Sequence, residues 1–203
     1  MFAVAKLFVA GLAATTILST PVANASAWMV DASHTRVGFA VRHFFTPVDG
    51  HFERFDVKLD WDRNDVSKSK IEAKIGVASV HTANAKRDAH LRTPDFFDAA
   101  NFPEITFLSR SIRAVDATHF VASGDLTIRG VTKRVDLPIT LLGVTDIPPM
   151  MQEMMMGAKR VASFDGQLVI DRRDFSVGTG SWAETAIVGS DVTISIKLES
   201  MEK

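Results

Sequence analysis

Strict alternation of apolar and polar side chains recurs along this chain, and it leaves few folds open. In Phe55-Asp56-Val57-Lys58-Leu59-Asp60-Trp61 every odd position is apolar and every even one is charged. The same pattern runs through 37–43, 71–77, 135–141 and 192–198, and less cleanly through 164–170 and 126–128. Glu104-Ile105-Thr106-Phe107-Leu108 adds an eighth segment. A period of two means a strand with one buried face and one wet face. That many half-buried strands close into a sandwich or a barrel. The wet faces are polar enough to exclude a covering helix layer. The inward faces mix Phe and Trp with Ala, Gly and Ser, which favours an eight-stranded antiparallel barrel with room for one ligand. Pro138 interrupts a strand pattern at a wet-face position. It marks an edge or a bulge, an incompletely closed wall, and a place where a homodimer could pair.

The first 25 residues read as a leader and not as part of the fold. Lys6 precedes an apolar run from Leu7 to Leu18, and Ala23-Asn24-Ala25 supplies a small-residue cleavage site. Cleavage is expected before Ser26, with the site one step later as the alternative. The run is too short to serve as a membrane anchor, so no stable membrane insertion is expected. The chain has no cysteine, which rules out a lipid-modified cysteine and disulfides alike. Removing residues 1–25 from the 203 leaves 178, a suitable length for one domain over 26–203. That segment carries 22 basic and 24 acidic residues, so there is no electrostatic case for nucleic acid. Fourteen Phe and three Trp with no Tyr suit a large dry interior.

Turns and longer connections are also legible. Thr46-Pro47-Val48-Asp49-Gly50 reads as a turn between the first two strands, and Arg129-Gly130 as a tight turn. Residues 82–103 read as two short helices around Pro94, with Thr93 as a cap. Together with the Gly-rich 171–190 segment, this is a connection long enough to be functional.

Five spaced motifs then resemble the YceI-like family. The opening Trp28-Met29-Val30-Asp31-Ala32-Ser33-His34-Thr35, followed by Val37, Phe39, Val41 and His43, is similar to its first strand. Gly50-His51-Phe52 with Phe55 resembles the start of its second. Val80, Thr82, Arg87-Asp88, His90-Leu91, Asp95-Phe96-Phe97-Asp98 and Phe102-Pro103 resemble its central signature. Gly124-Asp125-Leu126-Thr127-Ile128-Arg129-Gly130-Val131-Thr132 and Asp171-Arg172-Arg173-Asp174-Phe175, with Val188-Gly189, complete the likeness. The resemblance implies an all-β, lipocalin-like barrel of eight antiparallel strands, with a short helical cap between strands 3 and 4. It also implies a periplasmic location and an elongated lumen holding a long isoprenoid tail, such as that of a quinone. Residues 147–156, with five of the eight methionines, depart from the family pattern.

The candidate ligand-binding residues follow from strand faces and from the cap. The strands offer Phe39, Val41, Phe55, Val57, Ile75 and Val77 from the first half of the chain. They offer Phe107, Leu126, Ile128, Leu137 and Ile139 from the middle, then Phe164, Leu168, Ile194 and Ile196. His43 lies in register with Val41 and points inward, either as a neutral histidine bonded to backbone or as a contact for a quinone oxygen. Arg87 and His90, at i and i+3, share a helix face and would read a head group. Asp88 pins the helix. Of Phe96 and Phe97, one plugs the barrel and the other lines its entrance.

Six histidines show no metal-ligand spacing and there are no thiols, so no metal or other cofactor is expected beyond a bound isoprenoid lipid. The methionine cluster reads as an apolar lid ahead of a Cu(I) site. No nucleophile elbow or dinucleotide fingerprint is present, and no catalytic residue is assigned. The leading reading is a non-enzymatic carrier of a long-chain polyisoprenoid. The alternatives are a lipid-modifying enzyme using Arg87, His90 or His43, and a stress-response binder of fatty acids or fatty amides.

Overall fold

The computed structural model describes residues 26–184 and 186–203; the expected leader over 1–25 lies outside the described residues. The strands are β1 (Ser26–Val30), β2 (Arg36–His43), β3 (Thr46–Phe52), β4 (Phe55–Trp61), β5 (Lys70–Gly76) and β6 (Val80–His81), then β7 (Glu104–Ala114), β8 (His119–Ile128), β9 (Val131–Asp146), β10 (Arg160–Asp171) and β11 (Val188–Glu202). Helix α1 (Ala85–Leu91) lies between β6 and β7, and α2 (Pro149–Gln152) lies between β9 and β10.

The first six strands are three long strands, each broken once. A 3-10 turn over Ala32–His34 separates β1 from β2, two residues separate β3 from β4, and a 3-10 turn over Val77–Ser79 separates β5 from β6. Counted this way, eight antiparallel strands run up and down in sequence order. The ring closes because β11 pairs with β1 through Trp28↔Glu202 and with β2 through Ile194↔Phe39. A closed ring leaves few free edges.

Seven of the eight alternating segments fall wholly inside strands, and the segment 71–77 does so up to Gly76. One expectation is corrected: Thr46–Gly50 is not a turn but most of β3, and the turn is Phe44-Phe45. Pro47 is tolerated because β3 pairs with β6 only through His51 and Phe52, which leaves Pro47 on an edge stretch. Gly50 belongs in the strand because the Phe39 ring lies across it; a Cβ there would sit 2.3 Å from the ring tip. Pro138 does mark a break in the wall. The β9–β10 ladder ends at Ile139↔Gly166, and β10 beyond that point pairs only with β11.

The two ends differ. At one end Trp61 packs against Trp28 at a tilt and against Phe164 edge-on, with ring centroids 5.0 Å and 4.9 Å apart, and Trp28 Nε1 donates to the Trp61 carbonyl at 3.2 Å. They form a floor. The α2 loop lies at this end too, because β9 reaches it after leaving the cap end at Val131.

The break between β1 and β2 carries a pH-dependent contact. Asp31 accepts from the Ser33 N–H at 2.9 Å, and its other oxygen lies 2.8 Å from His34 Nδ1, with Glu199 at 3.6 Å. The Ser33 hydroxyl first, then His34, hold the Asp31 pKa down to about 2. The Asp31 hydrogen bond, then the Asp31 and Glu199 charges, raise that of His34 above 6.5. A raised imidazole stabilises the fold fully below 6.5 and loses that contribution as pH rises through the folded value. A lowered carboxyl does the reverse, contributing above 3.8 and losing it as pH falls toward about 2. In a melting-temperature profile, His34→Gln should abolish a small decline on the alkaline side of 6.5. An identical decline in both proteins would assign it elsewhere.

Candidate functional site

The strands' inward faces enclose a cavity of about 620 Å³, well inside the roughly 300–1,000 Å³ of small-molecule sites. Its floor is Trp61 and Phe164, with Leu59 and Val66 beside them. The wall nearest the broken strands carries Phe39, Val41, Val57 and Ile75. The opposite wall carries Phe107, Leu126, Ile128, Leu137 and Ile139, and β10 and β11 add Leu168, Ile194 and Ile196. Every one of these except Trp61, Leu59 and Val66 was among the candidate ligand-binding residues, and Leu59 and Trp61 lie on the same alternating face of β4 as Val57. Phe107 packs against Gly124, where a Cβ would come within 2.7 Å of the ring, so glycine keeps that ring against the wall.

Two expected lumen residues are elsewhere. Phe55 packs beside the core without reaching the cavity, because it opens β4 directly after the two-residue break. Val77 sits in the 3-10 turn, 1% exposed, with its N–H donated to the Pro103 carbonyl. The turn ends the alternation one residue early and packs Val77 into the wall.

The cap is built differently from the two helices expected around Pro94. Asn84 caps α1 by accepting from the Arg87 N–H at 3.1 Å. Thr93 caps nothing; its hydroxyl donates to the His90 carbonyl at 2.8 Å. Residues 93–98 wind as turns, with the Phe96 and Asp98 N–H groups on the Thr93 carbonyl. Most of the charge here fastens the cap. Asp88, 5% exposed, accepts from Thr82 N–H at 2.9 Å and Thr82 Oγ1 at 2.5 Å. Arg87 donates from Nε to Thr82 Oγ1 and from Nη2 to the Thr82 carbonyl, each at 2.7 Å. Arg92 donates to the carbonyls of Ala78 and Val80.

Arg87, His90, Phe96 and Phe97 all line the cavity under this cap. His90 contacts Asp95 at 2.8 Å and meets the rings of Phe96 and Trp182 edge-on at 5.1 Å and 5.0 Å. Phe96 is the buried plug. Phe97 sits against Phe52 at 5.9 Å. His43 is not buried as expected: it ends β2, is exposed, and lines the cavity only at its rim. Exposed lining residues His43, Asn84 and Lys86 place the mouth between the β2–β3 turn and the start of α1.

Periodicity missed the cap's central fastening. Arg172, 4% exposed, lines the cavity and donates to the carbonyls of Gly189, Val177 and Val188 at 2.8, 2.8 and 3.0 Å. Burial lowers its pKa, opposed by the Asp171 charge, and an arginine stays protonated regardless. Trp182, Phe175 and Val177 reach the lumen from the same segment.

The methionine cluster is not a lid. None of its side chains lines the cavity, and Met150, Met154 and Met156 are exposed at the end away from the cap. Of the histidines, His51 and His81 converge with Glu53, their ligand atoms within 4.8 Å, although the Arg36 guanidinium already contacts His51 Nδ1 at 3.1 Å.

A closed antiparallel barrel with an apolar lumen and a mouth at one end defines a binding-protein fold. The family model of the YceI-like domain matches residues 28–200, and the chain belongs to that family. Protein YceI of Escherichia coli O157:H7 is 32% identical over 174 residues, covering 85% of this chain and 84% of that one. Protein YceI of Salmonella arizonae is 31% identical over 193 residues, covering 94% of each. Among solved structures, Burkholderia cenocepacia BcnA superposes with a TM-score of 0.75 at 28% identity, over 84% of this chain and 98% of that one. A Saccharophagus degradans domain described as polyisoprenoid binding shares the fold, with a TM-score of 0.66 at 13% identity, over 88% of this chain and 99% of that one. No described helix is long and apolar enough to cross a membrane.

Proposed function

We propose that this protein is a periplasmic carrier that sequesters a long-chain isoprenoid lipid, such as an isoprenoid quinone, in its lumen, exported by a leader over residues 1–25. The observation that carries this reading is the lumen itself, lined mainly by apolar side chains from the Trp61 floor to the Val188 rim, with Ser69 beside the floor and the other polar side chains under the cap and at the mouth. Each methylene withdrawn from water contributes roughly 0.8 kcal/mol. A long tail therefore outweighs any single polar contact, and the rim groups His43, Asn84 and Lys86 orient a head group. The shared fold with a domain described as polyisoprenoid binding supports the same ligand class. No reacting residue is required. Arg87 and Asp88 are committed to Thr82, and His90 to Asp95.

Mass spectrometry of lipid extracted from the purified protein tests the reading. A polyprenyl species is the expected result; an acyl chain would replace it with fatty-acid binding. Turnover of an added lipid would replace it with catalysis. Gly166→Phe tests the location. Gly166 lines the cavity, and a Cβ there meets only ordinary contacts at 3.5 Å. The ring would enter the lumen at a typical stability cost of about 1–3 kcal/mol. Bound lipid should be lost while the fold persists. Lipid retained at the wild-type level would place the ligand outside the barrel.

A further inference from the structure

The mouth carries an apolar feature that lumen packing does not explain. The β2–β3 turn consists of two phenylalanines, Phe44 at 48% and Phe45 at 92% exposure, with Ile187 across from them at 43%. Phe44 also holds a φ of 49°, in a region that bulky side chains avoid. Hairpin turns of two residues usually place Gly, Asn or Asp at such positions. This turn therefore loses stability twice, through strain and through exposed rings, and costs of that kind gather at functional sites. It is nevertheless held firmly. The Phe44 N–H donates to the Ile187 carbonyl at 2.7 Å, Arg42 Nη1 donates to the Phe44 carbonyl, and His43 meets the Phe44 ring edge-on at 4.8 Å.

The tip is continuous with the lumen. His43 and Val188 line the cavity and directly precede Phe44 and follow Ile187 in the chain. On either lip stands an exposed cation, Arg42 beside the tip and Lys86 on α1. Neither forms an ion pair among the described residues. Apolar rings flanked by cations without a carboxylate partner match the boundary between phospholipid phosphates and acyl chains.

We propose that the Phe44-Phe45 turn is a docking tip for a phospholipid bilayer, its rings entering the acyl boundary while Arg42 and Lys86 meet phosphates. The mouth then faces the membrane. This rests on the carrier reading, since a lumen that takes a bilayer-dissolved lipid has to present its opening to the bilayer.

The chain lacks cysteine, so Phe45→Cys and Val115→Cys each accept a single environment-sensitive fluorophore. Val115 is 59% exposed after β7, at the opposite end. With vesicles of phosphatidylethanolamine and phosphatidylglycerol, the probe at 45 should brighten and shift to the blue, and the probe at 115 should not. Phe44→Ser with Phe45→Ser should reduce vesicle co-flotation about tenfold or more. Phe44→Gly should raise the melting temperature, by relieving the turn, and weaken flotation. A silent probe at 45, or equal responses at both positions, overturns the proposal. So does a response to protein concentration without vesicles, which would make the tip a contact between copies. The Gly166→Phe protein should still dock. Docking by a wild-type protein that holds no lipid would remove the carrier reading alone, and a loaded lumen without docking would remove the tip alone.

Discussion

Arg172→Met should destabilise the protein by about 3–5 kcal/mol and loosen the whole 172–189 segment. The guanidinium donates to three backbone carbonyls at 3.0 Å or less, and to those of Gly178 and Glu184 at 3.4 Å. Methionine preserves much of the buried stem but offers none of those donors. Each carbonyl left dry costs about 1–3 kcal/mol, less where water can reach it. Gly178 adds a constraint, since its φ of 82° and the guanidinium lying against its α-carbon leave no room for a side chain. The control is the neighbouring Arg173, which is half exposed and pairs with Asp171. Arg173→Met should cost under about 1 kcal/mol. Urea unfolding gives both numbers, and hydrogen exchange over 177–189 locates the loss. Equal costs for the two variants would mean that the carbonyl cage contributes little.

That contrast also marks what the sequence made legible. Half-buried strands declare themselves because each residue choice is made by one face, so Phe164, Leu126 and Ile196 were assignable from spacing alone. The breaks within strands were not. Thr46–Gly50 is rich in turn-forming residue types, yet it is a strand because Pro47 lies on an edge and Gly50 accommodates the Phe39 ring. Neither fact is local. The cap misled for a related reason: Thr93-Pro94 carries a helix-start signal, but the Thr93 hydroxyl is drawn back to the end of α1. Arg172 stood within a recognisable motif, but nothing in the motif told its role, since backbone carbonyls are available at any sequence. Trp182 was hidden likewise, its place set by His90 and Phe96, far away in the chain. The methionines at 150–156 were legible as a cluster but not as to location, because nothing local says which end of a barrel a loop occupies.

Asp88→Ala should cost about 2–4 kcal/mol and open the lumen at its cap. The carboxylate is the terminal acceptor of a chain in which Arg87 donates to Thr82 and Thr82 donates to Asp88. Thr82 and Asp88 are both buried. Removing the acceptor strands the buried Thr82 N–H and hydroxyl and loosens the oxygen to which Arg87 Nε donates. Hydrogen bonds to a charged partner contribute about 1.5–3 kcal/mol each, and the losses are shared within one network and do not add fully. Asp88→Asn keeps an acceptor oxygen of the same reach and should recover more than half of the loss. The two variants separate a pin from a head-group contact. If Asp88 only pins α1, lipid retention falls in step with hydrogen-exchange protection over 82–92, and asparagine restores both together. If asparagine restores protection while lipid retention stays lost, the carboxylate charge itself is felt at the mouth, and the cap takes part in choosing what the barrel holds.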